Sequence, residues 1–269
     1  MKRRIEKLVI VSDTHCGSSL GLAAPESKTG GHGNTVGFGS NVHQAWLWAR
    51  WMESYHWARR IIGSSKAALL FNGDAIEGIH HRTEEITSVG WQDHIDGAIA
   101  SMTPMIDLCD EFYVVQGTEC HVKGLEDALA KELNAVDGKA KAKWLVTING
   151  TLIDATHHMP ATSRAHLEAG AMSIVMGNAR INYQRSGYEV PTVYLRAHRH
   201  CGGYYCDGAG MFVVTGGWQF LTKHGMKVVP DSIPSPTVVV LDFSNRPSGS
   251  LPTIHELKHI PPQPAIRRT

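Results

Sequence analysis

Three short apolar runs, Lys7 to Ser12, Ala67 to Phe71 and Phe112 to Val115, each pass straight into a polar cluster. The clusters read Ser-Asp-Thr-His, Asn-Gly-Asp and Gln-Gly-Thr-Glu-Cys-His. A run that stays apolar instead of alternating is the pattern of a strand buried on both faces, as in the middle of an α/β sheet. Ligands of open α/β sheets bind at the carboxyl ends of the strands. The three clusters are therefore expected to converge on one place.

The intervening sequence alternates with these strands. A Gly/Ser-rich segment from Gly17 to Ser40 leads into a helix over Val42 to Ile62, with Trp48, Met52, Tyr55 and Ile62 at roughly helical spacing. Further helices are expected over Trp91 to Cys109, across Pro104, and over Leu125 to Leu133. Trp144 to Ile148 and Thr151 to Ala155, split by Asn149-Gly150, form a hairpin signal. A helix over Ser163 to Met176 follows, then strands at Thr192 to Leu195, Met211 to Val214 and Thr237 to Phe243. The tail, with Pro252, Pro261, Pro262 and Pro264, reads as irregular. A βαβα half followed by a strand-rich half predicts an α/β fold: two packed mixed β-sheets flanked by helices. The 269 residues fit one domain, 1–269, with a long insertion at about 17–62.

Composition sets the outer bounds. Apolar residues make up 42% and charged residues 19%, which excludes wholesale disorder. A net charge of +1 offers no global field for nucleic acid, although a local basic groove stays open. Five cysteines without a CxxC pair suggest neither a disulfide framework nor a zinc ribbon. The basic start at Met1 to Arg4 is followed by too short an apolar run for a secretory signal, and no stretch has the length of a membrane span. A cytoplasmic location is the expectation. Sixteen histidines raise the prospect of a metal enzyme, since imidazole is the commonest transition-metal ligand.

The candidate ligands recur at strand ends. Asp13 and His15 follow the first run, Asp74 follows Gly73 after the second, His157 ends the hairpin, and His198 and His200 flank Arg199 after a later strand. Carboxylates mixed with imidazoles suit Mn, Fe or Zn. Each pair alone is common, and it is the four together, each at a strand end, that point to a metal site.

This order, DxH, GD, His, then HxH, is similar to the calcineurin-like metallophosphoesterase family, over Asp13 to His200. The resemblance implies a four-layer α/β/β/α sandwich and two divalent metal ions, Mn foremost, with Fe, Zn, Ni or Mg as alternatives. It assigns Asp13, His15 and His200 to the first ion, Asp74 to both, and His157 and His198 to the second. The family's GNH(D/E) motif is altered here to Gly117-Thr118-Glu119-Cys120-His121. In one register Glu119 is the oxygen ligand and His121 the acid that protonates the leaving group. In the other, Thr118 supplies the oxygen and Glu119 stands behind it. The first is favoured because a carboxylate outbids a hydroxyl for divalent ions.

The GTExH variant, the run from Gly73 to His81 and Gly216-Gly217-Trp218-Gln219 resemble metallophosphoesterases of bacteriophages and prophages, which implies bacterial or phage-infected host cytosol. His81 and Arg199 are candidates for holding substrate phosphate. The function implied is hydrolysis of a phosphodiester in nucleic acid or a nucleotide by a metal-activated water. Two alternatives stand beside it: a phosphomonoesterase acting on nucleotides or proteins, and a non-catalytic, metal-stabilised module that binds phosphate or a partner. The oligomeric state is open.

Overall fold

The computed structural model describes residues 4–25, 27–29, 36–37, 41–80, 83–122, 124–160 and 167–263. Its strands, in chain order, are β1 Lys7–Val11, β2 Lys28–Thr29, β3 Val36–Gly37, β4 Ala67–Asn72, β5 Glu111–Val115, β6 Ala140–Lys141, β7 Trp144–Ile148, β8 Thr151–Ala155, β9 Val193–Arg196, β10 Gly203–Cys206, β11 Met211–Val214, β12 Thr237–Asp242 and β13 Thr253–Lys258. The helices are α1 Val42–Ile62, α2 Trp91–Ile106, α3 Glu119–Val122, α4 Leu125–Glu132, α5 Glu168–Arg185 and α6 Lys223–Val228.

Two mixed sheets organise these elements. One has the order β13-β12-β1-β4-β5-β6 and the other β10-β11-β9-β8-β7, while β2 and β3 form a small separate ribbon. The inner faces pack on each other through Leu8, Ile10, Leu70 and Val239 on one side and Ile153, Val193, Leu195 and Val213 on the other. Full burial of each such side chain contributes about 1.5–3 kcal/mol, and together they fuse the sheets. Helices α1, α2 and α4 cover the outer face of the first sheet through Trp51, Ala98, Met102 and Leu129. Met172 and Met176 of α5 cover the second through Tyr194 and Phe212. The result is the expected α/β/β/α sandwich.

β1, β4 and β5 are neighbours and parallel, so their carboxyl ends share one edge. β8, β9 and β11 are likewise parallel neighbours. The polar clusters following all of these strands meet where the two edges adjoin.

Several expectations are corrected. The tail carries β13, an exposed edge strand paired antiparallel with β12, because Thr253 to Lys258 needs only one partner and little burial. α5 runs to Arg185 rather than ending at Met176, and residues 163–166 of its expected start lie outside the described residues. α2 ends at Ile106. In α1 the buried face is Leu47, Trp51, Ala58 and Ile62, while Trp48, Met52 and Tyr55 flank it half-buried. Asn41 caps α1 by accepting from the Gln44 amide at 2.8 Å, and Gly63, at φ +57°, ends it.

Candidate metal centre

Nine non-glycine residues among those described have positive φ, and five of them are Asp13, His15, Asp74, His198 and His200. The others are Asn134, Asp137, Asn149 and Asn245, side chains that tolerate the left-handed region. A histidine there costs about 1–3 kcal/mol and persists only where the surroundings enforce it. The enforcement is visible: the Asp13 amide donates to Gly73 O at 2.8 Å, His15 to Asp74 O at 3.1 Å, and Trp218 to Asp13 O at 2.8 Å. Each turn just past a strand thereby folds its ligand inward. Gly117 matters for the same reason, since a Cβ on it would collide with the Asp74 amide and Oδ1.

The side chains form one cluster. Asp13, His15 and His200 bring ligand atoms within 4.8 Å of one another, and so do Asp13, Asp74 and His157. Asp74 is central: its Oδ2 lies 3.0 Å from His157 Nε2 and 3.9 Å from both His15 Nε2 and His198 Nδ1. His15 Nε2 and His200 Nε2 stand 3.1 Å apart. Two imidazole nitrogens facing each other so closely repel unless a proton or a cation lies between them.

Outer partners set the tautomers. His157 Nδ1 donates to Asn72 O at 2.6 Å, which turns its Nε2 toward the carboxylates. His15 Nδ1 meets Glu77 Oε2 at 2.8 Å, which leaves its Nε2 facing His200. This is how metal-binding imidazoles are oriented, the second ring nitrogen held by a carboxylate or carbonyl.

The electrostatics call for positive charge. Burial alone would lower His15 and His157, yet Glu77 beside the one and Asp74 beside the other lift them to about 9 and about 10. Burial would raise Asp74 and Glu77, but the adjoining imidazoles hold both well below the usual carboxylate range. Asp13 Oδ1 is buried with no hydrogen-bond partner, 3.6 Å from His200 Nε2 and 3.8 Å from His157 Nε2. An unpaired buried carboxylate oxygen aimed at imidazole nitrogens fits a divalent cation, as does the donor set of oxygens and nitrogens.

In the altered third motif Thr118 and Glu119 are placed differently. Thr118, not Glu119, turns inward: its amide donates to Asp74 Oδ1 at 2.6 Å and its Oγ1 lies 3.1 Å from Asp74 Oδ2 and 3.2 Å from His198 Nδ1. Glu119 opens α3 and its residue is exposed, because the turn winds into a short helix that carries its side chain away. Glu119, expected as an oxygen ligand, is not in any of the groups of potential metal ligands among the described residues. His121 lines the cleft, its Nδ1 donating to Glu77 O at 2.9 Å. Burial, aided by His15, pushes His121 down to about 4. Arg199 also lines the cleft, with Nη1 3.3 Å from Glu168 Oε1. His81 lies outside the described residues.

Sequence reasoning missed two carboxylates. Glu77 is buried and also touches His80 at 2.9 Å and Gln219 at 2.7 Å. Glu126, buried on α4, accepts from the Ala75 amide at 3.0 Å and the Gly117 amide at 2.6 Å, tying together the loops that carry Asp74 and Thr118. Burial pushes Glu126 up to about 7. Glu77 stood inside a run already singled out, three residues past Asp74. Glu126 carried no local signal. His158, exposed, joins His157 and His198 in a further group of potential ligands.

No family model matches the chain, and no curated protein matches it. Among solved structures it is similar to an archaeal phosphodiesterase, at 12% identity and a TM-score of 0.45, with 94% of this chain and 99% of that one covered. It is also similar to zinc-bound Vps29 from Entamoeba histolytica, at 10% identity and a TM-score of 0.43, covering 94% and 98%. A predicted phosphoesterase from Streptococcus pneumoniae matches at 14% identity and a TM-score of 0.36, covering 94% and 98%. Similarity at this level bears on neither reaction nor substrate.

Proposed function

We propose that the chain is a metal-dependent phosphoesterase that hydrolyses a phosphodiester in a nucleotide or nucleic acid. The observation that carries this reading is the convergence on Asp74 Oδ2 of three imidazoles beside the unpaired oxygen of Asp13. Asp13, His15 and His200 would hold one divalent cation, and His157, His198 and Thr118 a second, with Asp74 between them. Such a pair, when bound, supplies Lewis acidity toward phosphoryl oxygens and lowers the pKa of an attacking water.

The chain's own residues then divide the remaining work. Glu77 and Asn72 fix the imidazoles, so that little reorganisation is needed when charge develops on the substrate. Glu126 holds the Asp74 and Gly117 loops at a set spacing. Arg199, in the cleft wall, is in place to meet a phosphate oxygen, in competition with Glu168.

The cleft, about 350 Å³, has a second wall made by Leu221, Val228, Val229 and Pro234. That apolar wall facing a polar floor favours a phosphate ester carrying a flat or apolar group, as a nucleoside does. The net charge of +1 favours a small nucleotide over a long duplex.

The test is turnover of bis- and mono-nitrophenyl phosphate by purified protein with Mn, beside Asp74→Asn, followed by dinucleotide substrates at rising salt. Diesterase activity that is lost in the variant supports the reading. Equal activity in both proteins, or none in either despite bound metal, overturns it, the latter in favour of a binding module.

A further inference from the structure

A second set of donors lies in the same cleft, outside the ligands assigned above. His80, Cys120 and His121 each bring one ligand atom within 4.8 Å of the other two. His80 comes from the loop after β4 and Cys120 and His121 from α3, and the His80 and His121 rings meet edge-on at 4.1 Å. Glu77 decides the chemistry of both imidazoles. His80 Nε2 lies 2.9 Å from Glu77 Oε1, and a carboxylate only accepts, so Nε2 carries the hydrogen and Nδ1 the lone pair. His121 Nδ1 lies 2.9 Å from the Glu77 carbonyl oxygen, so its lone pair is on Nε2.

From this geometry we infer that His80, Cys120 and His121 form a separate site for a single soft or borderline cation of the zinc class. The donor set differs in kind from the centre beside it. That centre offers carboxylates, imidazoles and one hydroxyl, which suit manganese, iron or zinc alike, whereas a thiolate with two imidazoles favours Zn or Cu(I) over manganese. On binding, the cation displaces the Cys120 thiol proton to solvent and takes the sulfur and the two nitrogen lone pairs, leaving a fourth position toward the cleft. Glu77 then orients imidazoles on both sides of it: His15 in the first centre and His80 and His121 in the second. The site stands whether or not the chain hydrolyses phosphate.

The experiment is cobalt titration of the full-length chain, watched in the near ultraviolet for the thiolate-to-cobalt charge-transfer band. The neighbouring centre has no thiolate and is silent in that band. The expected result, with the neighbouring centre first filled with manganese, is a band whose intensity corresponds to one thiolate-bound cobalt per chain and that is displaced by zinc and absent in Cys120→Ser. His80→Ala should weaken cobalt at least about 10-fold, the cost typical of a disturbed metal shell. Cys109→Ser, Cys206→Ser and Asp74→Asn should keep the band. Circular dichroism of Cys120→Ser matching the parent rules out misfolding as the cause. No band in the parent chain, or a band that survives Cys120→Ser, overturns the inference.

Discussion

The six-stranded sheet delivers Asp13, His15 and Asp74, with side chains 0%, 2% and 1% exposed, while the five-stranded sheet delivers His157 at 1%, His200 at 20% and His198 at 39%. Negative charge is thus concentrated on the closed side, where Glu77 and Glu126 brace it from behind. The imidazoles grade from buried to open, and the open end is where a substrate can enter. A buried carboxylate keeps its charge only while something positive faces it, so the closed side requires positive charge, from protonated imidazoles or a bound cation. Under the proposed function, the open side is where a phosphate ester would enter.

Variants should rank by how closed their position is. Asp74→Asn should have the largest effect, cutting metal-dependent diester turnover by well over about 100-fold, beyond what loss of an outer partner costs. An effect under 10-fold would break the comparison at its centre. Glu77→Gln, one layer behind, should weaken Mn binding by about 10–100-fold in calorimetric titration, with the fold unchanged by circular dichroism.

A pH test addresses the closed side without any variant. In chelated protein His15 and His157 bind protons up to about 9 and about 10, against 6.5 ordinarily, so the native state holds more protons than the unfolded chain across that window. Stability is then fully present below about 6.5 and falls as pH rises through 9 to 10. The melting temperature of chelated protein should drop between pH 7 and 10, and Mn-loaded protein should drop much less. Parallel curves would show that protons and cations do not share this site. His158→Ala, on the exposed rim, should cost the least, less than about 10-fold in turnover. A larger loss would move the working edge of the site outward.

How much of this was legible depended on whether the signal was local. The runs at Lys7 and Ala67 are buried on both faces, and the run at Phe112 nearly so, between parallel neighbours, and so left an unbroken apolar signature. The hairpin at Asn149-Gly150 was fixed by the backbone its turn requires, and β7 and β8 have the expected bounds. β10 and β13 were missed because strands that are half-exposed carry little apolar pattern. α6 is six residues long with no buried face, too short for any period to register. Within the site, Asp13, His15, Asp74, His157, His198 and His200 could be named because each immediately follows a strand. Glu126 could not, since it reaches the Gly117 amide from a helix brought there by long-range packing and hydrogen bonds.

What the sequence determined by itself was the set of chemical groups and their position at strand ends, because those depend on near neighbours in the chain. Tertiary structure alone decided which oxygen faces Asp74. Thr118 and Glu119 are adjacent and equally available in sequence, and it is the short helix α3, wound where the third loop meets the Asp74 turn, that aims the hydroxyl inward and sends the carboxylate to solvent. Which way a side chain points at a turn follows from the backbone dihedrals that distant contacts impose, and no local pattern encodes those contacts.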